Sequence, residues 1–172
     1  MNRIIIAVTL SSALALGACK KEPPETTPPP PQTTTSTPAP TPAPTSTAPQ
    51  PGSQAHFANA MAGRDTIYFD ADRYDIDSED QAALRQQAEY LLQYTGARAT
   101  VEGHADERGT RDYNLALGER RANAARNYLV SLGVPESRLR TVSYGEERPV
   151  ATGSNEQAWS RNRRAVTVMI ER

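Results

Sequence analysis

A carboxylate at Asp106 and a guanidinium fifteen positions later at Arg121 stand out in this sequence because their charges are opposite and Arg121 falls on an apolar helix face. Asp106 opens the turn Asp106-Glu107-Arg108-Gly109. Arg121 lies in a helical pattern that starts at Thr110 and stops at Gly133, with Pro135 beyond it. On a helical wheel Tyr113, Leu117, Ala124, Tyr128 and Leu132 form one stripe at i, i+3, i+4 spacing. Arg121 falls inside that stripe and Asn114 at its edge. A guanidinium on the core side of a helix is costly unless it meets an anion. Two readings are open for the pair. It is a buried structural ion pair, or a split site that grips an ammonium with Asp106 and a carboxylate with Arg121.

The elements that must hold this pair can be traced through residues 55–172, enough chain for one domain with its own core. After a polar lead-in, Asp65 to Phe69 reads as a short strand, followed by the acidic loop Asp70-Ala71-Asp72-Arg73-Tyr74-Asp75-Ile76-Asp77. Ser78 is expected as an N-cap with Gln81 as its capping-box partner. The helix after it should turn Leu84, Ala88, Leu91, Leu92 and Thr95 to the core and end before Gly96. Arg98 to Glu102 is the second strand, and the long helix follows. Leu139 to Tyr144 is a third strand, Asn155 to Arg161 a short helix carrying Trp159, and Ala165 to Glu171 the last strand. The order strand-helix-strand-helix-strand-helix-strand predicts an α/β (α+β) two-layer fold, with helices packed on a small mixed four-stranded sheet. The run Ser160-Arg161-Asn162-Arg163-Arg164 enters the last strand. It and the acidic loop converge on the Asp106 turn if the sheet brings their ends together.

Upstream, Arg3, the apolar run Ile4 to Leu16 and Leu16-Gly17-Ala18 form a secretory signal over residues 1–18, too short for a comfortable membrane span. It runs into Cys19, the one cysteine, so no intramolecular disulfide is expected. Leu-Gly-Ala-Cys resembles the bacterial lipobox, whose Cys becomes a lipidated mature N-terminus. Lys20 after it favours the outer membrane over inner-membrane retention. Several acyl chains, each contributing about 0.8 kcal/mol per buried CH₂, would anchor the protein stably. Residues 19–54 are the lipidated N-terminus and a tether. From Glu22 to Ser53 this tether holds no aliphatic residue larger than Ala and cannot bury enough apolar surface to fold. Its prolines favour extended chain, and about 32 residues reach on the order of 100 Å when taut.

With Arg3 removed, 18 of the 19 bases remain against 20 acids, a net of −2, which argues against nucleic acid as a partner. The two histidines, His56 and His104, have no second His or Cys at ligand spacing, so neither a metal site nor another cofactor is expected. His104 reads as a strand-end residue packed in the sheet rather than a catalytic base. HExxH, GxSxG and Gly-rich phosphate loops do not occur, and no Lys follows Lys21. The pattern is that of a binder and not an enzyme.

The stretches IYFDADRYDI, VEGHADERGTRDYNLALGERRANAARNYL, VSYGEERPV and WSRNRRAV span nearly all of Thr66 to Val168. They closely resemble the OmpA-like family of peptidoglycan-binding domains, in the form borne by outer-membrane lipoproteins. The resemblance implies a non-catalytic domain that holds meso-diaminopimelate of the peptidoglycan stem peptide. The family grips the ligand's zwitterionic end with an Asp and an Arg that correspond to Asp106 and Arg121. It also uses the acidic loop, where Asp72 matches. Ala71 departs from the family, which usually has Phe there, so the apolar wall is expected to be thinner. Asn114 and Arg163 complete the implied binding set. The resemblance alone also implies a periplasmic β-propeller partner of the Tol system, and a role in envelope integrity and cell division. The alternatives are a peptidoglycan-processing enzyme using the same pocket, or a domain that binds only periplasmic proteins.

Overall fold

The computed structural model describes residues 48–170. The signal segment, Cys19 and most of the 19–54 tether lie outside the described residues, as does Glu171. In chain order come α1 (Gln54–Met61), β1 (Thr66–Tyr68), α2 (Ser78–Gln93), β2 (Ala99–His104) and α3 (Arg111–Ser131). A 3₁₀ turn (Glu136–Arg138), β3 (Leu139–Gly145), α4 (Glu156–Asn162) and β4 (Arg164–Met169) follow. The four strands form one mixed sheet in the order β1-β4-β2-β3. β4 is antiparallel to β1 and β2, and β3 is parallel to β2. Strands β1, β2 and β3 therefore end on the same edge, where β4 begins.

Side chains alternate across the sheet as the pleat requires. Ile67, Ala99, Val101, Ala165 and Met169 are buried against Leu84, Ala88 and Leu91 of α2 and Ala122, Ala125 and Leu129 of α3. Their neighbours Thr100, Glu102, Val166 and Val168 are only half-buried, and Arg140 and Val142 are exposed.

The polar lead-in before β1 is in fact α1. Ser53 caps it by accepting from the His56 N–H, and Phe57 and Met61, one turn apart, are buried. In α2 the N-cap is Asp77 rather than Ser78, and its carboxylate accepts from the Asp80 N–H at 2.8 Å. The Gln81 side chain donates instead to the Ile76 carbonyl. Contrary to expectation Leu92 and Thr95 are exposed, and Tyr90 is buried on the core face of α2 instead. Thr110 caps α3 as expected, accepting from the Tyr113 N–H.

The buried face of α3 is rotated from the apolar stripe. It consists of Asn114, Leu117, Gly118, Arg121, Ala122, Ala125 and Leu129, while Tyr113 is exposed and Ala124, Tyr128 and Leu132 are half-buried. The cause is a backbone-on-backbone approach between α3 and β2. A Cβ at Gly103 would stand 1.8 Å from the Gly118 carbonyl oxygen, and one at Gly118 would stand 2.4 Å from Ser143 Oγ. Small residues are the ones that fit this seam. The seam also sets the depth of Arg121, which lies three residues after Gly118.

At the opposite end of the sheet, the Tyr90 hydroxyl accepts from the Gly52 N–H at 3.2 Å and lies 2.8 Å from His56 Nδ1. Nearby, Arg138 donates to the carbonyls of Ala97, Leu91 and Tyr94 at 2.7, 2.7 and 2.9 Å. It thereby satisfies carbonyls that the end of α2 leaves without helical partners.

Candidate functional site

The carboxyl end of β2, the middle of α3 and the start of β4 bring Asp106, Arg108, Arg121 and Arg163 to one edge of the sheet. Asp106 follows β2 by two residues and is 7 % exposed. Its Oδ1 accepts from the Arg108 backbone N–H at 3.1 Å and from Arg108 Nε at 3.2 Å. Its Oδ2 accepts from Arg108 Nη2 at 2.6 Å and from Arg163 Nη1 at 3.3 Å. Burial alone would raise this carboxyl, but the hydrogen bonds from Arg108, and then from Arg163, hold it below the ordinary carboxylate value. Asp106 is thus kept ionised.

Arg121 does not bond to Asp106. It is fully buried, with its guanidinium 5.2 Å from the centre of the Phe69 ring. Nε donates to the Arg73 carbonyl at 2.9 Å, Nη1 to that of His104 at 2.8 Å and Nη2 to that of Asp70 at 3.0 Å. The direct ion pair suggested by the sequence is absent, and backbone carbonyls take its place. Burial lowers this guanidinium to about 10, partly offset by the nearby Asp106 charge, so it stays protonated at neutral pH. Its three bonds pin the acidic loop to the end of β2.

Arg163 is buried beside it and links three segments. Nε donates to the Phe69 carbonyl at 2.9 Å, Nη1 reaches Asp106, and Nη2 donates to Glu156 at 2.6 Å. The acidic loop and the arginine run do converge here. Residues of both, among them Asp70, Asp75, Asp77, Ser160 and Arg163, line a hollow of about 230 Å³. A larger hollow of about 610 Å³ lies at the other end of the sheet, between Gln50–Ser53, Gln93–Ala97 and Ile170. It has no charged side chain in its lining, whereas the smaller one is bordered by carboxylates and by the guanidinium groups of Arg73 and Arg163.

Ala71 and Asp72 are exposed on the loop. Asp72, at φ +56°, accepts from the Tyr113 hydroxyl at 3.2 Å. Asn114 is buried and donates to the Arg108 carbonyl at 3.0 Å and to Glu146, which fixes the Asp106 turn from below. Arg108 and Trp159 were not singled out from the sequence. The Arg108 side chain is 42 % exposed and its guanidinium lies 4.3 Å from the centre of the Trp159 ring, whose Nε1 donates to Glu107. A basic residue two positions after a turn carboxylate was the available signal for Arg108.

His104 is buried as a strand-end residue, and neither ring nitrogen has a hydrogen-bond partner. Burial, with Arg164 and Arg148 nearby, lowers its pKa to about 4 and keeps it neutral. Asp80, whose Oδ1 accepts from the Tyr68 N–H, is raised to about 6 by burial despite that bond.

A sequence model of the OmpA family matches residues 68–163. The chain is 46% identical over 168 residues to a protein of Rhizobium meliloti named peptidoglycan-associated lipoprotein, covering 98% of this chain and 88% of that one. A protein of the same name from Agrobacterium fabrum is 45% identical over equal shares. Among solved structures, the peptidoglycan-associated lipoprotein from Burkholderia pseudomallei is 42% identical. It superposes with a TM-score of 0.63 over 66% of this chain and 96% of that one.

Proposed function

The chain belongs to the OmpA family, and from that premise we propose that it is a lipoprotein that binds peptidoglycan without covalent attachment. It is a binding protein rather than an enzyme, as its near-full-length relatives are named for their association with peptidoglycan. The observation that carries the reading is Asp106, a buried carboxylate kept ionised at the edge of the sheet beside three guanidinium groups. That arrangement suits a ligand end carrying both an ammonium and a carboxylate, and diaminopimelate in the stem peptide presents both on one carbon. Asp106 takes the ammonium, and the arginine side of the site, with Arg121 at its base, faces the carboxylate. Arg163 braces Asp106, Asn114 holds the turn, and Ala71 and Asp72 form the rim.

Cys19 after Leu-Gly-Ala, with Lys20 following, supports a lipid anchor in the outer membrane, and the Pro/Thr-rich stretch supports a tether from membrane to wall. Binding to a periplasmic β-propeller protein of the Tol system rests on family likeness alone.

Co-sedimentation with purified sacculi tests the reading. Wild type should pellet with the wall and leave the profile of released fragments unchanged. Asp106→Ala should stay in solution, with affinity lower by about 2–5 kcal/mol, or roughly thirty-fold to several thousand-fold. Wild type that fails to pellet, or that releases new fragments, would overturn it.

A further inference from the structure

We infer that the face of the sheet turned away from α2 and α3 is a self-association surface, on which two copies of this chain pair through Arg140 and Glu102. The inference goes beyond the peptidoglycan reading and does not rest on it. Thr167 and Ser143 turn towards the helices, where they bond to Gln87 of α2 and Leu115 of α3. Their neighbours along each strand point the other way. Register then groups Val166 and Val168 of β4, Thr100 and Glu102 of β2, and Arg140 and Val142 of β3 on the outer face. Val142 is 37 % exposed there, and Tyr68 of β1, on the same face, 51 %.

The two charges of this face say what covers it. Glu102 has 22 % of its side chain exposed, and its ion-pair contact among the described residues is the His104 ring at 3.8 Å. That ring is neutral, since burial lowers its pKa to about 4. Arg164 lies near Glu102, but its bonds go to the carbonyls of Asn162 and Arg148. Arg140 is exposed on the edge strand and makes no hydrogen bond or ion pair among the described residues. An acid and a base on one face are thus each left with room for a partner of opposite charge.

Their placement is self-complementary. Thr100 pairs with Arg140 and Glu102 with Val142 across β2 and β3, so these four residues form a quadrilateral with the charges at opposite corners. A two-fold axis along the other diagonal, through Thr100 and Val142, lays each Arg140 over the Glu102 of its mate. One patch then meets itself, as a two-fold interface requires. Each copy brings one acid and one base, so like charges do not face each other. The quadrilateral ends at Glu102, four residues before Asp106, and the charged edge of the sheet stays open. Four strands about 4.8 Å apart, averaging about five residues, offer roughly 300 Å² of flat face. A standard interface takes about 800 Å² per partner, so this pair is weak and reversible, with Kd on the order of 0.1–1 mM.

Sedimentation equilibrium of residues 19–172, with Cys19→Ser to exclude lipid and disulfide, tests the inference up to about 1 mM, the upper end of that range. This parent chain should form a reversible dimer. Arg140→Glu and Glu102→Arg should each weaken it at least about tenfold, because like charges then meet at both contacts. Mixing the two variants should restore association, since the mixed pair sets acid against base at both contacts. A general loss of stability would not produce that rescue. Thermal melts establish that each variant is folded, and Glu102→Gln, which keeps the side-chain shape, should weaken the dimer if Glu102→Arg proves unfolded. A chain that stays monomeric throughout, or a dimer indifferent to Arg140→Glu, would overturn the inference and leave the peptidoglycan reading untouched.

Discussion

The two ends of the sheet each carry an arginine donating three hydrogen bonds to backbone carbonyls, yet they serve different ends. Arg138 takes carbonyls from the last turn of α2 and the loop after it, so its three bonds cap one helix. Arg121 takes one carbonyl from the end of β2 and two from the acidic loop, so its bonds fasten separate segments. Nothing anionic stands in front of Arg138 among its bonded partners. In front of Arg121 lies a layer of carboxylate-guanidinium pairs, of which Arg108 with Asp106 is the half-open one. A buried guanidinium therefore does not by itself mark a ligand site. What distinguishes the Arg121 end is a charge pair in front of it that solvent can reach.

Removing each arginine should sharpen that contrast most. Arg121→Met leaves three carbonyls of separate segments without a donor in a buried setting, and should cost about 3–5 kcal/mol. Arg138→Met, at a half-buried helix end, should cost about 1–2 kcal/mol. Urea unfolding measures both. Equal losses would erase the distinction between a brace across segments and a local cap.

The site end should also carry opposed responses to pH. His104, neutral in the fold, has its pKa lowered to about 4 from 6.5. Its contribution is present above pH 6.5 and is lost as pH falls towards 4. Asp80 is raised to about 6 from 3.8. Its contribution is present below pH 3.8 and is lost as pH rises through 6. Each is worth on the order of 2–3 kcal/mol across its window, so between pH 4 and 6 their slopes oppose. His104→Gln should make stability fall more steeply with rising pH across that window than in wild type, and Asp80→Asn should do the reverse. Unfolding curves at pH 4, 5, 6 and 7 check it, and two variants with the wild-type slope would discard the pairing.

The smallest effect belongs to the far end. Tyr90→Phe removes the hydroxyl shared by Gly52 and His56, and should cost about 1 kcal/mol. Its affinity for diaminopimelate muropeptides should match wild type. A loss of affinity would mean that the two ends are coupled.

From β1 onward, element order, strand identity and the burial of Arg121 and Asn114 were legible in the sequence because apolar spacing and turn residues carry them. The partner of Arg121 was not, because backbone carbonyls have no side-chain signature. A wheel weighted by apolar size centred α3 on Tyr113, Tyr128 and Leu132. The seam between Gly103 and Gly118 instead turned Ala122 and Ala125 inward, an approach visible only when two elements meet. α1 was missed for a related reason. Phe57 and Met61 are its only buried residues, and both cover the core from within a polar segment. The cap of α2 fell on Asp77 because Asp77 and Ser78 can both cap, and the choice depends on backbone geometry.

The direction of the strands has a mechanical consequence. The chain arrives at the far end, where Gln54 accepts from the Met169 N–H at the close of β4, while Asp106 stands beyond the opposite end. In a molecule held at its amino terminus and gripped at Asp106, a pull runs along the strands. Hydrogen bonds of an antiparallel ladder lie across that axis, so those joining β4 to its neighbours are strained together in shear instead of parting one after another. A sheet loaded this way resists rupture far better than one that is unzipped.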